Sequence, residues 1–536
     1  MTLQGSYVED SNVHTNTKGG VVMRKQLHNT YGDQSVQRRR FSPLASLGVL
    51  VSVVLALIAG TIFVLPYLRS HTASSHTASS QAAPSLPYFE RQELITDQCS
   101  TKPEGCGWSD NKSRIVRTSD DTVYAAYVSE GDGTFQGKIW HLMQRQANGT
   151  WKEIGSGPAG SEPVSLLRAP DDSLYVVAFP QNDSLHVIHF TRTSSGFTSN
   201  DTLVPGFGTN PWDATYSGAG INTQGNIVIT QTSWDKPNNR GQFARDIYWT
   251  YYNPTTNQWT NHDTPIDYSH RFLFVFAGKH NDLSFVGQRD EQRTVLGFSP
   301  NSKYGQHPCQ SWALNNEVKY FHTDNVDTQP VSNLLIKEEY PQSCEFLIQQ
   351  VNDAYIDTQG RMHILYMDQQ NGGDHHAIIQ NGVLIKDVLL PVQNIWYSRI
   401  IQDTTGRFYI ITASDNTLIV YPGAADDTDG TQLDPAVNLT LARSTSCTNG
   451  GQCQNPFLAV PRGGTPLADY VDGIYNSGAG NEYVYFRLRL RGSGSRSTPT
   501  PISLAQTPTS PPQSRPTLVP LNTPTAAPLT SQSYSI

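Results

Sequence analysis

The chain has 536 residues and a formal net charge of −8, from 38 Lys and Arg against 46 Asp and Glu. Residues 1–43 carry six Lys or Arg and three acids, which leaves −11 on the rest. A negative body without clustered basic residues excludes nucleic acid as the partner, because phosphate binding needs grouped Lys and Arg.

The N-terminal 43 residues read as a polar tail ending in Arg38, Arg39 and Arg40. Residues 44–68 follow as 25 residues without a charge. At about 1.5 Å rise per residue such a helix spans a hydrocarbon core of about 30 Å with some tilt. The basic flank puts the tail in the cytoplasm and everything after Arg69 outside, so a single-pass cell-membrane protein is expected. The alternative is a cleaved signal peptide, favoured by the small residues Ser79-Ser-Gln-Ala-Ala83. Residues 69–95, with a doubled His-Thr-Ala-Ser-Ser unit, read as a flexible linker.

All six cysteines, Cys99, Cys106, Cys309, Cys344, Cys447 and Cys453, lie beyond the span. An even number in an oxidising compartment reads as disulfides, and nearest-neighbour pairing joins 99 to 106, 309 to 344 and 447 to 453. The spacing is not that of a metal site, and neither a metal nor another cofactor is expected. Five Asn-x-Ser/Thr sites occur, at Asn111, Asn148, Asn182, Asn200 and Asn438.

Residues 96–490 repeat one phrase, a polar turn followed by an apolar strand. It is clearest in Asp357-Thr-Gln-Gly360-Arg-Met-His-Ile-Leu-Tyr366 and Asp403-Thr-Thr-Gly406-Arg-Phe-Tyr-Ile-Ile-Thr412. Aligned on the last turn residue, the anchors are Asp121, Asp172, Gly225, Asn281, Gly360 and Gly406, spaced by 51, 53, 56, 79 and 46. Those intervals suit one four-stranded propeller blade each. A second turn with a large residue after it, at Trp151, Phe197, Trp259 and Val383, strengthens the repeat. No long segment shows helical periodicity. The expectation is an all-β propeller of six blades, alternatively seven, closed by the alternating run Glu482–Leu490. Residues 491–536, with nine prolines and no Asp or Glu, read as a disordered tail.

Ser113-Arg-Ile-Val-Arg-Thr-Ser-Asp-Asp-Thr-Val123 is similar to the opening of sialidases, and the blades resemble the sialidase-like, BNR-repeat propeller superfamily. In that family the opening arginine belongs to a triad gripping a substrate carboxylate, a role the resemblance implies for Arg114. Val116 replaces the family's proline, and the Asp box Ser-x-Asp-x-Gly-x-x-Trp is nowhere intact.

From the residues themselves, Asp132 in Ser129-Glu-Gly-Asp-Gly133 is a candidate acid and Tyr475 a candidate nucleophile for a retaining glycosidase. Arg245, Arg271 and Arg399, each beside aromatic residues, are candidate carboxylate clamps. The bland alternative is a turn aspartate and arginines packed on rings. Asp374-His375-His376 invites a metal, but adjacent strand side chains point to opposite faces, and a solvated hairpin loop is expected. The run Asp246–Asn253, with Trp212, Trp234, Trp396 and Tyr397, supplies rings for sugar stacking or simply for blade interfaces. The function expected is binding of a glycan or a surface protein by a monomeric propeller. A sialidase-like hydrolase and a structural envelope protein are the alternatives.

Overall fold

Six five-residue turns set the architecture. The structure is a computed structural model describing residues 86–491 except 102–104, 135–136, 181–184, 205–215, 235–244, 263–265, 267–269, 280, 293–312, 340–348, 369–372, 393–396, 446–455 and 478–479. Segments 118–122, 169–173, 222–226, 278–282, 357–361 and 403–407 each join the first strand of a sheet to its second. The anchors Asp121, Asp172, Gly225, Asn281, Gly360 and Gly406 all adopt the left-handed conformation, with φ from 64° to 86°. Gly has no Cβ to clash there, and Asn and Asp are the side chains that best tolerate it. The turn's opening residue completes the device: Asp357 Oδ1 accepts from the N–H groups of Gln359 (2.9 Å) and Arg361 (2.8 Å).

Each turn sits in a four-stranded antiparallel meander, and seven such sheets are present. The blade count is therefore seven, the alternative to the expected six; in chain order the strands of blades 1 to 6 fall within 115–160, 165–204, 218–262, 270–338, 349–389 and 399–440, and blade 7 closes the ring. The blade that the spacing missed has no anchor turn. It comprises Phe457–Leu458, Tyr470–Ser477 and Glu482–Arg489, and its first connection, 459–469, is long. Its fourth strand is Tyr88–Thr96, paired to Glu482–Arg489 from Tyr88↔Arg489 to Thr96↔Tyr483. Those residues fall in the stretch read as linker, so the propeller begins earlier than residue 96. The alternating run at 482–490 does form the expected strand, and its outer neighbour is the N-terminal segment.

Ring closure has a buried ionic node. Asp472, with no exposed surface, accepts from Arg487 Nε (2.8 Å), Arg117 Nη1 (2.9 Å) and Tyr485 Oη (2.6 Å). Arg117 belongs to blade 1, and its guanidinium and that of Arg487 lie 4.4 and 4.3 Å from the Tyr470 ring centroid. The node therefore joins first blade to last with the charge paired and its hydrogen bonds filled, the condition for tolerating burial.

The axis is filled by the long connection of blade 7. Through its 3-10 turn Pro461–Gly463 and the two residues after it, this connection reaches four other blades. Arg462 Nη1 donates to the Asn111 carbonyl, and its guanidinium lies 5.0 Å from the Phe274 ring centroid of blade 4. Thr465 Oγ1 accepts from the Arg117 N–H at 3.1 Å. Gly464, at φ +89°, packs against the Arg168 carbonyl of blade 2 and Ile221 of blade 3.

The Cys99–Cys106 disulfide forms as expected, with Cα atoms 5.9 Å apart. The other four cysteines, the span 44–68 and the tail from 492 lie outside the described residues. Among the described residues no helix is long and apolar enough to cross a membrane. His375 and His376 sit within the strand Gly373–Gln380, not in a solvated loop. They do point apart: His375 Nδ1 lies 3.2 Å from Asp387, and the buried His376 lies 2.9 Å from His363 Nδ1.

A Cβ at position 464 would meet backbone as well as an unfavourable φ, whereas at Gly360, φ +78°, it would meet open space. Gly464→Ala is expected to cost more than about 3 kcal/mol of unfolding free energy and Gly360→Ala about 1 kcal/mol. Denaturant titration of the two variants checks the difference; equal losses would contradict the filled axis.

Candidate functional site

The two ends of the ring differ. One carries the short anchor turns; at the other the strands are joined by the longer connections of the sequence, of which 97–101, 105–114, 161–164, 216–217 and 441–445 are described. Binding and catalytic groups concentrate on such connections, held by a rigid scaffold.

At this end the axis is ringed by charge. Lys112 donates to Glu162 at 2.6 Å, and Asp110, Lys112, Asp353, Arg399 and Arg462 line a small cavity of about 10 Å³ together with Phe457. Arg114 and Arg399 both lie over the Phe457 ring, at 4.1 and 5.7 Å from its centroid. Arg399 Nη2 is 3.5 Å from Asp110 Oδ1, and its Nε donates to the Pro456 carbonyl at 2.7 Å. Arg114 is held by the carbonyls of Cys106 and Ser109, and Arg462 by that of Asn111. No described carboxylate comes within 4 Å of either guanidinium, and the Nε of each is buried without an acceptor. Cations fixed by main-chain dipoles and rings leave donors for an incoming anion.

Burial shapes the protonation of the cluster. It pushes Asp110 up to about 6, against the pull of Arg399 and Arg114. Burial also raises Asp353, and it lowers Arg114 and brings Arg462 down to about 10. Asp374, next to the same end, accepts from Asn352 Nδ2 at 2.8 Å and has no cation against it among the described residues; burial pushes it up to about 8.

Strain gathers here too. Ser109, Tyr216, Phe272 and Tyr397 are non-glycine residues at φ +62°, +72°, +52° and +72°. Such positions cost roughly 1–3 kcal/mol each and persist where surrounding structure enforces them. Trp108, Tyr216 and Phe272 form one aromatic group, with centroids 4.7 to 6.4 Å apart, and Trp108 and Phe272 are half-buried. Asn111, a glycosylation sequence motif, is part of the cluster: its Nδ2 donates to the carbonyls of Ser217 and Leu273, both at 3.0 Å, and it is fully buried.

Of the residues singled out from sequence, Arg114 and Arg399 meet at the axis. Arg271 lies at the same end, donating to Tyr216 Oη at 3.2 Å and stacking 4.6 Å from its ring centroid. Arg245 opens the third strand of blade 3, and its side chain lies outside the described residues. Asp132 is in an exposed turn, its Oδ1 accepting from Thr134 N–H (2.8 Å) and Oγ1 (2.6 Å), which lowers its pKa. Tyr475 has no exposed surface; its Oη accepts from Arg443 N–H at 3.3 Å and lies 3.3 Å from Gln92 Oε1. No described contact joins Asp132 to Tyr475 or either of them to the arginines. Trp249 and Tyr251 are buried between blades 3 and 4 with Phe285 and Phe321. Sequence reasoning missed Asp110, Lys112, Asp353, Phe457 and Arg462. One signal was available: Tyr-Ser stands just ahead of an innermost strand at Tyr216-Ser217, Tyr268-Ser269 and Tyr397-Ser398.

No protein-family model and no curated protein sequence matches the chain. Solved structures similar to it include the BP39L lectin from Burkholderia pseudomallei, at 12% identity over 73% of this chain and 99% of that one, with a TM-score of 0.44. An ulvan lyase of polysaccharide lyase family PL25 is similar at 10% identity over 75% and 95%, TM-score 0.43. The β-propeller domain of the trilobed protease from Pyrococcus furiosus is similar at 11% identity over 62% and 83%, TM-score 0.33. The propeller assignment itself rests on the seven sheets.

Asp374 offers a test of the buried electrostatics. Its folded pKa of about 8 lies above the ordinary 3.8, so the folded state holds a proton that the unfolded chain has lost between those values. Stability must then fall as pH rises through that window, by at most about 1.4 kcal/mol per pH unit for this group. Asp374→Asn removes the contribution, so the variant is expected to gain on the wild type from pH 5 to pH 8 in denaturant titrations. Parallel profiles would show that Asp374 is ionised in the fold.

Proposed function

We propose that this protein is a membrane-tethered, extracytoplasmic binding propeller that recognises an acidic glycan at the long-connection end of its axis. One observation carries the reading: the end of the ring that holds the strained aromatic residues also holds two buried arginines, Arg114 and Arg462, that no described carboxylate pairs. A sugar carboxylate suits guanidinium forks, and half-buried rings such as Trp108 and Phe272 suit the apolar face of a pyranose. The tether rests on the uncharged run 44–68 behind Arg38–Arg40.

A second reading, glycoside hydrolysis of sialidase-like design, is favoured by a different observation. Asp110 and Asp353 line the same cavity, and both are raised toward the range of a general acid. That pairing would make Asp110, in place of Asp132, the acid.

Full-length protein in detergent micelles, screened on an array with uronate-bearing, sialate-bearing and neutral glycans and on matching fluorogenic glycosides, separates the readings. Binding to acidic glycans is expected, weakened roughly 10-fold or more in Trp108→Ala at an unchanged melting temperature. Turnover abolished by Asp110→Asn and kept in Asp132→Asn would establish the hydrolase. Preference for neutral glycans would sink the arginine reading, and silence throughout would leave a surface protein as the partner.

A further inference from the structure

Blade 1 carries an arrangement that the axial site does not use. Ser129 ends the strand Val123–Ser129, His141 lies on Lys138–Arg145, and Glu153 lies on the outer strand Trp151–Gly160. Tyr127 pairs directly with His141 and Met143 with Glu153, so Ser129 and Glu153 are the diagonal neighbours of the imidazole on either side. Ser129 Oγ is 2.8 Å from His141 Nε2, and His141 Nδ1 is 2.8 Å from Glu153 Oε2.

The tautomer follows from the partners. A carboxylate only accepts, so Nδ1 carries the proton and Nε2 offers its lone pair to the serine O–H. The Tyr127 ring stacks on the imidazole at 4.6 Å and 13°, which holds its plane. The imidazole is reachable, with 17% of the His141 side chain and 44% of that of Glu153 exposed. Gly133, a few residues on, faces open space. Glu130 ties this strand end to the disulfide loop by accepting from Ser100 Oγ at 2.7 Å and Thr101 N–H at 3.1 Å.

We propose that Ser129, His141 and Glu153 form a nucleophilic triad that cleaves carboxylic esters of small acyl groups. Ser129 Oγ adds to the ester carbonyl carbon while its proton passes to Nε2. The tetrahedral adduct breaks its bond to the alkoxide, which leaves with that proton as the alcohol. Water then attacks the acyl-serine, giving a proton to Nε2, and the carboxylic acid departs as Oγ takes that proton back. Glu153 keeps the imidazole in the required tautomer and stabilises the imidazolium formed in each half.

Blade 4 supplies an internal comparison. Ser284, His322 and Asp324 repeat the residue types with the nitrogens exchanged: Ser284 Oγ is 3.0 Å from Nδ1 and Asp324 is 2.9 Å from Nε2. The Ser284 hydroxyl is buried and shared with Tyr320 Oη at 3.1 Å, whereas that of Ser129 has, among the described residues and besides Nε2, only the Glu130 carbonyl at 3.5 Å. The proposal therefore applies to Ser129 and excludes Ser284.

The test is treatment of the full-length protein with a fluorophosphonate probe, with the adduct located by peptide mass spectrometry. Labelling of Ser129 is expected, with a rate lowered about 100-fold or more in His141→Gln and about 10-fold or more in Glu153→Gln at unchanged melting temperature. Hydrolysis of p-nitrophenyl acetate above that of Ser129→Ala would accompany it. No adduct on Ser129, labelling no faster than on Ser284, or labelling indifferent to His141→Gln would reduce the group to a polar cross-strand row and overturn the proposal.

Discussion

A propeller stands or falls on holding its last blade against its first, and here that constraint converges on Asp472. No single sheet of four short strands buries enough apolar surface to be stable by itself, so every blade depends on both neighbours. The hydrophobic cluster containing Val128, Trp140 and Leu166 continues through Tyr483 and Tyr485 of blade 7, so blades 7, 1 and 2 share one core. A carboxylate with no solvent contact sits beside that seam and is tolerable only because Arg487, Arg117 and Tyr485 all reach it. The outer strand Tyr88–Thr96 adds the covalent logic: blade 7 is assembled from both ends of the described chain. Removing either chain end from the sheet would expose the same seam.

With the ring closed, a seven-bladed geometry leaves an axis to fill. The connection 459–469 of blade 7 fills it, placing Arg462 among Phe274, Phe276 and the Asn111 carbonyl. A guanidinium against rings and carbonyls keeps its charge at the expense of desolvation, as the lowered pKa of Arg462 records. The blade without an anchor turn is thus the blade whose loop makes the axial cavity. Closure and the candidate site are two outcomes of one segment.

The division of labour between the ends of the ring follows. Short turns with left-handed Gly, Asn and Asp set strand registers at one end, at little strain. At the other end the left-handed positions are taken by Tyr216, Phe272 and Tyr397, bulky residues that do not choose that conformation. These bulky left-handed residues lie at the end with the longer connections, where the buried arginines and the raised carboxylates also lie. The polar triad of blade 1 sits elsewhere on the same scaffold, built from ordinary cross-strand neighbours.

The sequence by itself determined the fold class and most of the blade spacing, because a left-handed turn is a local requirement legible as Gly, Asn or Asp at one position. It also determined the Cys99–Cys106 pairing, since a short loop brings those two together without help from the rest of the chain. Tertiary structure decided the seventh blade, because Tyr88–Thr96 joins a partner almost 400 residues away, and pairing at that range leaves no periodic trace. It decided the site as well. Arg114 and Arg399 were legible as arginines beside rings, but Asp110, Asp353 and Arg462 become neighbours only when the seven inner strands meet at the axis. The same long-range packing gave Tyr475 a core position and left Asp132 in a solvated turn. Local chemistry writes turns into a sequence; convergence of distant blades does not appear there, because it depends on which faces pack rather than on which residues are adjacent.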